Sequence, residues 1–368
     1  MVIVLRSTED VLGWAGRLVD PPLRAAIGRL PEPSREIAEL QLGWHLGDDT
    51  RAASLRSALT LVCAAAVGGD PHDAVPAAVA VELMHHWSAI RRDLVDGRAG
   101  AAWSVVGSQP AALGGEALLA LAFDVVATGD PTHTAPGRPR RRPHRIGPAG
   151  SATHSPAEPP GRPGPDRTMM RVLGDTVQEL LHGQHASLAL RETRPDAVGE
   201  ERTDLLRDCL AMVEQRTGAL FGCACALGAV AGGGDPAQVE RLRLFGVRLG
   251  LAVQFAEDLL GIWAEGARPG RPAYADLRRR RRSLPVAAAI AAGADELSRL
   301  FDGRGRLSDA DAERAAKTIE QSGARDWCRR QAEELLSQAL LALDLASPEP
   351  AAVAELVALA RRATAAPR

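Results

Sequence analysis

Two stretches of the chain are apolar almost throughout, yet their few polar residues recur at helical spacing. Between Leu244 and Trp263 the exceptions are Gly250, Gln254, Glu257, Asp258 and Gly261, beside the more N-terminal Gly246 and Arg248. Residues three, four and seven apart share one face of a helix, so the pattern predicts a helix over 236–264 with one polar stripe. A second helix, predicted over 74–96, gathers Glu82, His85, His86, Ala89, Arg92, Asp93 and Asp96 in the same way. Unpaired buried carboxylates are costly, so each stripe calls for a cation or a cationic partner. Facing one another, the two acidic ends could hold hard divalent cations over a shared cavity, magnesium above all, since it favours a few carboxylates, waters and a phosphate-bearing ligand. The stripe of Gln254, Glu257 and Asp258 is also compatible with a hydrogen-bonded network that holds no metal.

The same reading extends along the chain. Long periodic segments with few β-branched residues predict helices over 8–20, 34–46, 51–66, 109–127, 169–191, 202–230, 284–302, 308–320, 325–345 and 350–364, separated by Gly and Pro breakers. The expected fold class is all-α. The stretch 129–167 is different: Pro-, Arg- and Gly-rich, it cannot bury a core and is expected to be a disordered insertion between two helices. Its basic run is short and has no aromatic residues on which bases could stack, which argues against nucleic acid. Because the two acidic helices lie on either side of it and need each other, residues 1–368 are expected to form one helical domain.

Composition narrows the function classes. The formal net charge of −2 gives no electrostatic call for nucleic acid. The five cysteines (Cys63, Cys209, Cys223, Cys225 and Cys328) sit in apolar helical stretches without zinc-like spacing, and Cys223 and Cys225 would point to different helix faces. Reduced core cysteines are expected. The uncharged stretch 217–234 is long enough to raise a membrane span, but its Gly and Ala content reads better as a tightly packed internal helix. Met1-Val-Ile-Val-Leu5 is too short for a signal peptide, and a cytoplasmic location is expected.

Several spaced motifs then point to a family. Leu249-Gly-Leu-Ala-Val-Gln-Phe-Ala-Glu-Asp-Leu-Leu-Gly-Ile-Trp263, with Gly270-Arg-Pro272 and the basic run from Asp276 to Val286, resembles the second aspartate-rich motif and basic loop of the trans-polyprenyl diphosphate synthases, geranylgeranyl-type actinobacterial enzymes among them. Val79 to Asp96 resembles the helix of the first such motif, and Arg216-Thr217 the family's Lys-Thr pair. The resemblance runs from about Leu40 to Leu345. It implies the isoprenoid synthase fold, a single large helical bundle around a central cavity. It also implies a magnesium-dependent prenyltransferase that condenses an allylic prenyl diphosphate with isopentenyl diphosphate. By resemblance, Arg56 and His85 fall where isopentenyl diphosphate is held. Arg216, Thr217, Gln254 and Arg271 line the allylic diphosphate. Asp96, Glu257 and Asp258 are metal positions, with Asp93, Asp96 and Asp258 the catalytic carboxylates. Arg281, within the run Arg278 to Arg282, closes over the phosphates. Trp87 and Ser88 stand where the family sets product length, and the bulk of Trp87 hints at a short product. A homodimer, or a heterodimer with another synthase, is expected.

The departures from the family are chemically specific. Its first motif opens on two aspartates, whereas here Arg92 precedes Asp93, and a guanidinium cannot ligate magnesium. Arg92 would instead pair with Asp96 or touch a phosphate. Ala53 replaces a basic residue, the arginine pair after the first motif is missing with only Arg98 near it, and Ser187 ends the segment Gly183-Gln-His-Ala-Ser187 where the family has aspartate. Two alternatives follow: a catalytically impaired synthase-like subunit that modulates an active partner, and a class I terpene cyclase on the same fold.

Overall fold

The computed structural model describes residues 6–46, 54–95, 100–131, 164–192, 200–263, 273–302 and 305–365. Among these residues the regular elements are all helical. In order they are α1 (Thr8–Gly28), α2 (Ser34–Leu42), α3 (Leu55–Ala66), α4 (Val75–Val95), α5 (Ala101–Val106), α6 (Ser108–Thr128), α7 (Pro165–Glu192), α8 (Glu200–Val213), α9 (Ala219–Ala231) and α10 (Pro236–Trp263). After them come α11 (Ala275–Arg278), α12 (Leu284–Ala291), α13 (Asp295–Asp302), α14 (Asp309–Gln321), α15 (Ala324–Leu345) and α16 (Pro350–Ala363). The all-α expectation holds, and most long helices start and stop within a residue or two of the periodicity.

The departures have local causes. Pro21 and Pro22 lie inside α1 rather than ending it, because Leu23 and Ile27 beyond them are fully packed and hold the last two turns against the bundle. Residues 34–46 break at Gly43, which takes φ 74° and turns the chain into a short 3₁₀ turn, Trp44–Leu46. Gly293, with φ 92°, divides 284–302 into α12 and α13. Of the expected insertion, residues 132–163 lie outside the described residues, and α7 begins already at Pro165.

Helix α10 is the spine. Leu242, Phe245, Leu249 and Val253 belong to one apolar cluster with α1, α3, α4, α6, α7 and α9. Val247, Leu251, Phe255, Leu259 and Ile262 belong to a second with α8 and α12–α15. A helix apolar on nearly every side must be enclosed, and any polar residue it keeps is then held in a fixed place. Helix α9 is buried from Ala219 to Val230, as expected of a tightly packed helix. Of the described helices only α6, Ser108–Thr128, is long and apolar enough to cross a membrane, and its inner face packs on α2 and α4. All five cysteines are free and buried. Burial pushes the Cys209 and Cys223 thiols up to about 12, so neither is a nucleophile at neutral pH.

Candidate active site

Helices α8 and α9 are joined without a break by a π-helical turn, Glu214–Gly218, which carries Arg216 and Thr217. One residue too many in a helical turn pushes side chains off the regular register, and such turns recur at functional sites. Gly183 on α7 makes room for this one: a Cβ there would stand 2.7 Å from Cγ of Arg216. Arg216 Nη1 donates to Ser187 Oγ at 3.3 Å, so the hydroxyl occupies the place where the family has a carboxylate.

From Thr217 a chain of hydrogen bonds runs down α10. Thr217 Oγ1 donates to Gln254 Oε1 (2.8 Å), and Gln254 Nε2 donates to Asp258 Oδ1 (2.8 Å). Asp258 is 1% exposed. Its Oδ2 accepts from Leu284 N, the first turn of α12, at 2.9 Å, and its Oδ1 stands 3.2 Å from Arg281. Arg281 also donates to Asp276 Oδ2 at 3.0 Å. The attraction of Asp258, and after it that of Asp276, raises the guanidinium above its ordinary value against the cost of burial. Both oxygens of Asp258 are thus engaged, and they tie the basic loop to α10. Glu257, its neighbour, is exposed. The stripe therefore divides: Gln254 and Asp258 are joined in a hydrogen-bonded network, and Glu257 is exposed.

The basic loop is also more structural than a row of arginines suggests. Arg278 pairs with Asp309 at the start of α14 (2.6 Å), Arg280 donates to Gly305 O (2.9 Å), and Arg282 donates to Leu190 O. Tyr274 and Arg280 take positive φ, 57° and 52°, at the bends that shape the segment. Of these arginines, Arg281 is the one set beside the carboxylates of α10.

Helices α3 and α4 form the other wall. Ser57 Oγ donates to Glu82 Oε1 at 2.7 Å, which fixes the buried carboxylate of α4. Beside them stand Arg56, which precedes Ser57 in α3, and His85, one turn after Glu82 in α4. The guanidinium of Arg56 lies 5.7 Å from the centroid of the Phe221 ring, and its Nε is shielded from solvent with no hydrogen-bond acceptor among the described residues. Burial lowers it from its ordinary value, opposed by Glu82 of α4 and Glu257 of α10. Arg56 thus feels a carboxylate from each acidic helix. Burial, with Arg56, His86 and Arg92 nearby, holds the His85 imidazole well below its usual range, so it is neutral at pH 7. His86 meets it edge-on at 5.1 Å. At the end of α4, Arg92 Nε lies 4.0 Å from Asp93 Oδ1. Trp87 faces away from this stripe, fully buried with its Cδ1 3.7 Å from a Cβ built at Gly115 of α6.

The expected site residues Arg56, His85, Arg216, Thr217, Gln254, Asp258 and Arg281 are therefore placed on the walls formed by α3, α4, α9, α10 and the basic loop. Ala53, Asp96, Arg98 and Arg271 lie outside the described residues. Asp276, Ser57 and the Leu284 amide were not singled out from sequence as supports: each acts through a partner distant in the chain, and no local pattern marks such a bond.

Comparisons with known proteins bear on the family. The polyprenyl synthetase family model matches residues 49–320. The chain is 33% identical over 352 residues to a (2E,6E)-farnesyl diphosphate synthase of Mycobacterium tuberculosis, covering 91% of this chain and 87% of that one. It is likewise 33% identical over 352 residues to a geranylgeranyl diphosphate synthase of the same organism, covering 92% and 89%. Among solved structures, a polyprenyl synthetase from Streptomyces coelicolor A3(2) superposes with a TM-score of 0.80 at 30% identity, covering 96% of this chain and 99% of that one.

Proposed function

The chain belongs to the polyprenyl synthetase family, and from that premise we propose that it joins an allylic prenyl diphosphate to isopentenyl diphosphate. The observation that carries the reading is Arg56: a shielded guanidinium with an open Nε, beside a neutral histidine and between two acidic helices, calls for an anion. Arg56 and His85 hold the diphosphate of isopentenyl diphosphate, a guanidinium being suited to bidentate contact with phosphate oxygens. Arg216 and Arg281 face the allylic diphosphate from α8–α9 and the basic loop, and Arg271 joins them from the segment before that loop. As the allylic carbon–oxygen bond breaks, these cations stabilise the charge growing on the leaving diphosphate. The alkene of isopentenyl diphosphate attacks the allylic cation, and a proton then leaves the new chain. The apolar walls from α4, α6 and α9 keep water from that cation.

Magnesium fits the α10 side, where Glu257 offers an exposed carboxylate, and magnesium needs only one or two protein carboxylates when phosphates supply further oxygens. Glu257 and Asp96 are its proposed ligands, with Asp258 holding the loop beside them rather than the ion; when bound, it neutralises charge on the diphosphate. A second copy of this chain or another synthase is the proposed macromolecular partner, and the cytoplasm the proposed location. The relatives named above are diphosphate synthases, so neither the modulating subunit nor the cyclase gains support from them.

The test is to incubate the purified protein with magnesium, labelled isopentenyl diphosphate and, in turn, dimethylallyl, geranyl and farnesyl diphosphates. Chain-extended diphosphates are the expected products. A folded protein that forms none with any of the three would overturn the reading, and product from an allylic diphosphate without isopentenyl diphosphate would replace it with a cyclase.

A further inference from the structure

Resting on that reading, we infer that Ser57 is a positioning residue for isopentenyl diphosphate: its hydroxyl holds the Glu82 carboxylate as a counter-charge that stabilises the Arg56 guanidinium without closing onto its N–H donors. Helix α3 places Arg56, Ser57 and Thr60 in an otherwise apolar run. A hydroxyl inside a helix ordinarily returns to a carbonyl one turn back. Thr60 does so, its Oγ1 donating to Arg56 O at 3.0 Å. Ser57 instead reaches across to α4 and donates to Glu82 Oε1 at 2.7 Å. Ser57 is 2% exposed and Glu82 6%, and Glu82 lies in a run of α4 that is buried from Ala77 to Met84. A carboxylate enclosed in this way is costly unless a donor meets it, so it turns to a donor within reach. Two adjacent residues of α3 offer one, the Ser57 hydroxyl and the Arg56 guanidinium.

The surroundings of Arg56 show which donor the carboxylate takes. The attraction of Glu82 offsets part of the cost of burying the guanidinium, yet no hydrogen bond joins the two. The Arg56 Nε keeps no acceptor among the described residues, and the Phe221 ring lies 5.7 Å from the guanidinium carbon. Charges that do not touch still attract where water is excluded, because Coulomb energy falls only as the inverse of distance. A direct ion pair would add a hydrogen bond and spend the donors that a diphosphate needs. With Glu82 held by Ser57, the charge of Arg56 is balanced and its donors stay available. Without the hydroxyl, the guanidinium is the neighbouring donor left to the carboxylate, and an arriving diphosphate would first have to displace it.

The experiment is a calorimetric titration of isopentenyl diphosphate into the full-length protein. Farnesyl thiolodiphosphate with magnesium, titrated separately, is the control for the allylic side. Ser57→Ala should weaken isopentenyl diphosphate by about threefold to tenfold and leave the farnesyl analogue within about twofold. Glu82→Gln keeps an acceptor for Ser57 but no charge to compete, so it should bind isopentenyl diphosphate at least as tightly as wild type. In that background Ser57→Ala should cost less than about twofold, since no carboxylate is left to close. Thermal melts confirm that each variant is folded; should the Gln variants not fold, the contrast between the two ligands for Ser57→Ala decides alone. Equal isopentenyl diphosphate affinities for wild type and Ser57→Ala would overturn the inference. So would a loss of the same size on both ligands, or one that persists undiminished beside Glu82→Gln. Weaker binding by Glu82→Gln alone would also sink it, by making the carboxylate itself a needed support. A wild type that binds the farnesyl analogue but not isopentenyl diphosphate would remove the inference together with the place given to Arg56. Chain-extended product from the wild type in the assay above keeps the prenyltransferase reading whatever the titrations give.

Discussion

The two acidic helices look alike as strings of residues and differ in what surrounds them. At the C-terminal part of α10 the carboxylate of Asp258 is enclosed, takes hydrogen bonds from a side-chain amide, a backbone N–H and an arginine, and ties α10 to the loop that follows. At the end of α4 the carboxylate of Asp93 is partly exposed, 4.0 Å from Arg92 and close to Gly100. A carboxylate with several fixed donors is a piece of architecture, whereas a partly exposed one can be repositioned at smaller cost to the fold. The first wall is fixed by enclosed hydrogen bonds, and the second is partly open to solvent.

The largest effect that would test this contrast is on α10. Asp258→Ala leaves the Leu284 N–H and the Gln254 amide buried without an acceptor and Arg281 without its nearest anion. Unsatisfied buried groups cost about 1–3 kcal/mol each, and broken ion pairs more when both partners are buried. Since Arg281 is 40% exposed, its share is reduced by solvent, and a total loss of about 2–4 kcal/mol is expected by urea denaturation. A loss below about 1 kcal/mol would show that the network does not hold the loop.

The corresponding change on α4 should leave stability nearly alone. Gly100→Ala puts a methyl group onto the Asp93 carboxylate, which can swing away because it is the end of a side chain. Stability should stay within about 1 kcal/mol of wild type. A loss above about 2 kcal/mol would mean that the Asp93 side chain cannot give way.

The smallest effect is a pH slope. An unfolded histidine titrates near about 6.5, and burial beside Arg56 holds His85 lower in the folded chain. As pH falls below about 6.5 the unfolded chain therefore takes up a proton that the folded one refuses, and stability drops by at most about 1.4 kcal/mol per pH unit until the folded imidazole also protonates. Denaturation at about pH 7.5 and about pH 5.5 should show a shallower slope for His85→Gln than for wild type. Equal slopes would place His85 in a more open setting than its neighbours imply.

Much of this was readable from the order of residues. The 3.6-residue spacing marked α4 and α10, the mixed Gly and Ala content marked α9 as an enclosed helix, and the stripe of Gln254, Glu257 and Asp258 called for a cation or a hydrogen-bonded network. These signals are local: they depend on neighbours within two or three turns of one helix, and a linear pattern carries them whole. The family's motifs added roles for Arg56 and His85 that their own surroundings in the chain do not announce.

What the chain order could not convey was the division of labour within a stripe. Glu257 and Asp258 are adjacent and both acidic, yet one opens to solvent and the other is consumed by Leu284 and Arg281, twenty-three or more positions away. Likewise Ser187 meets Arg216 only because α7 and the π turn are brought together at Gly183. The sequence by itself determined which helices form, which faces they bury and which kinds of charge they carry, because helix periodicity and apolar burial act over short separations. Which carboxylate is exposed and which is enclosed was settled by the packing of the helices, because hydrogen-bond saturation and exposure are properties of groups that meet across the fold.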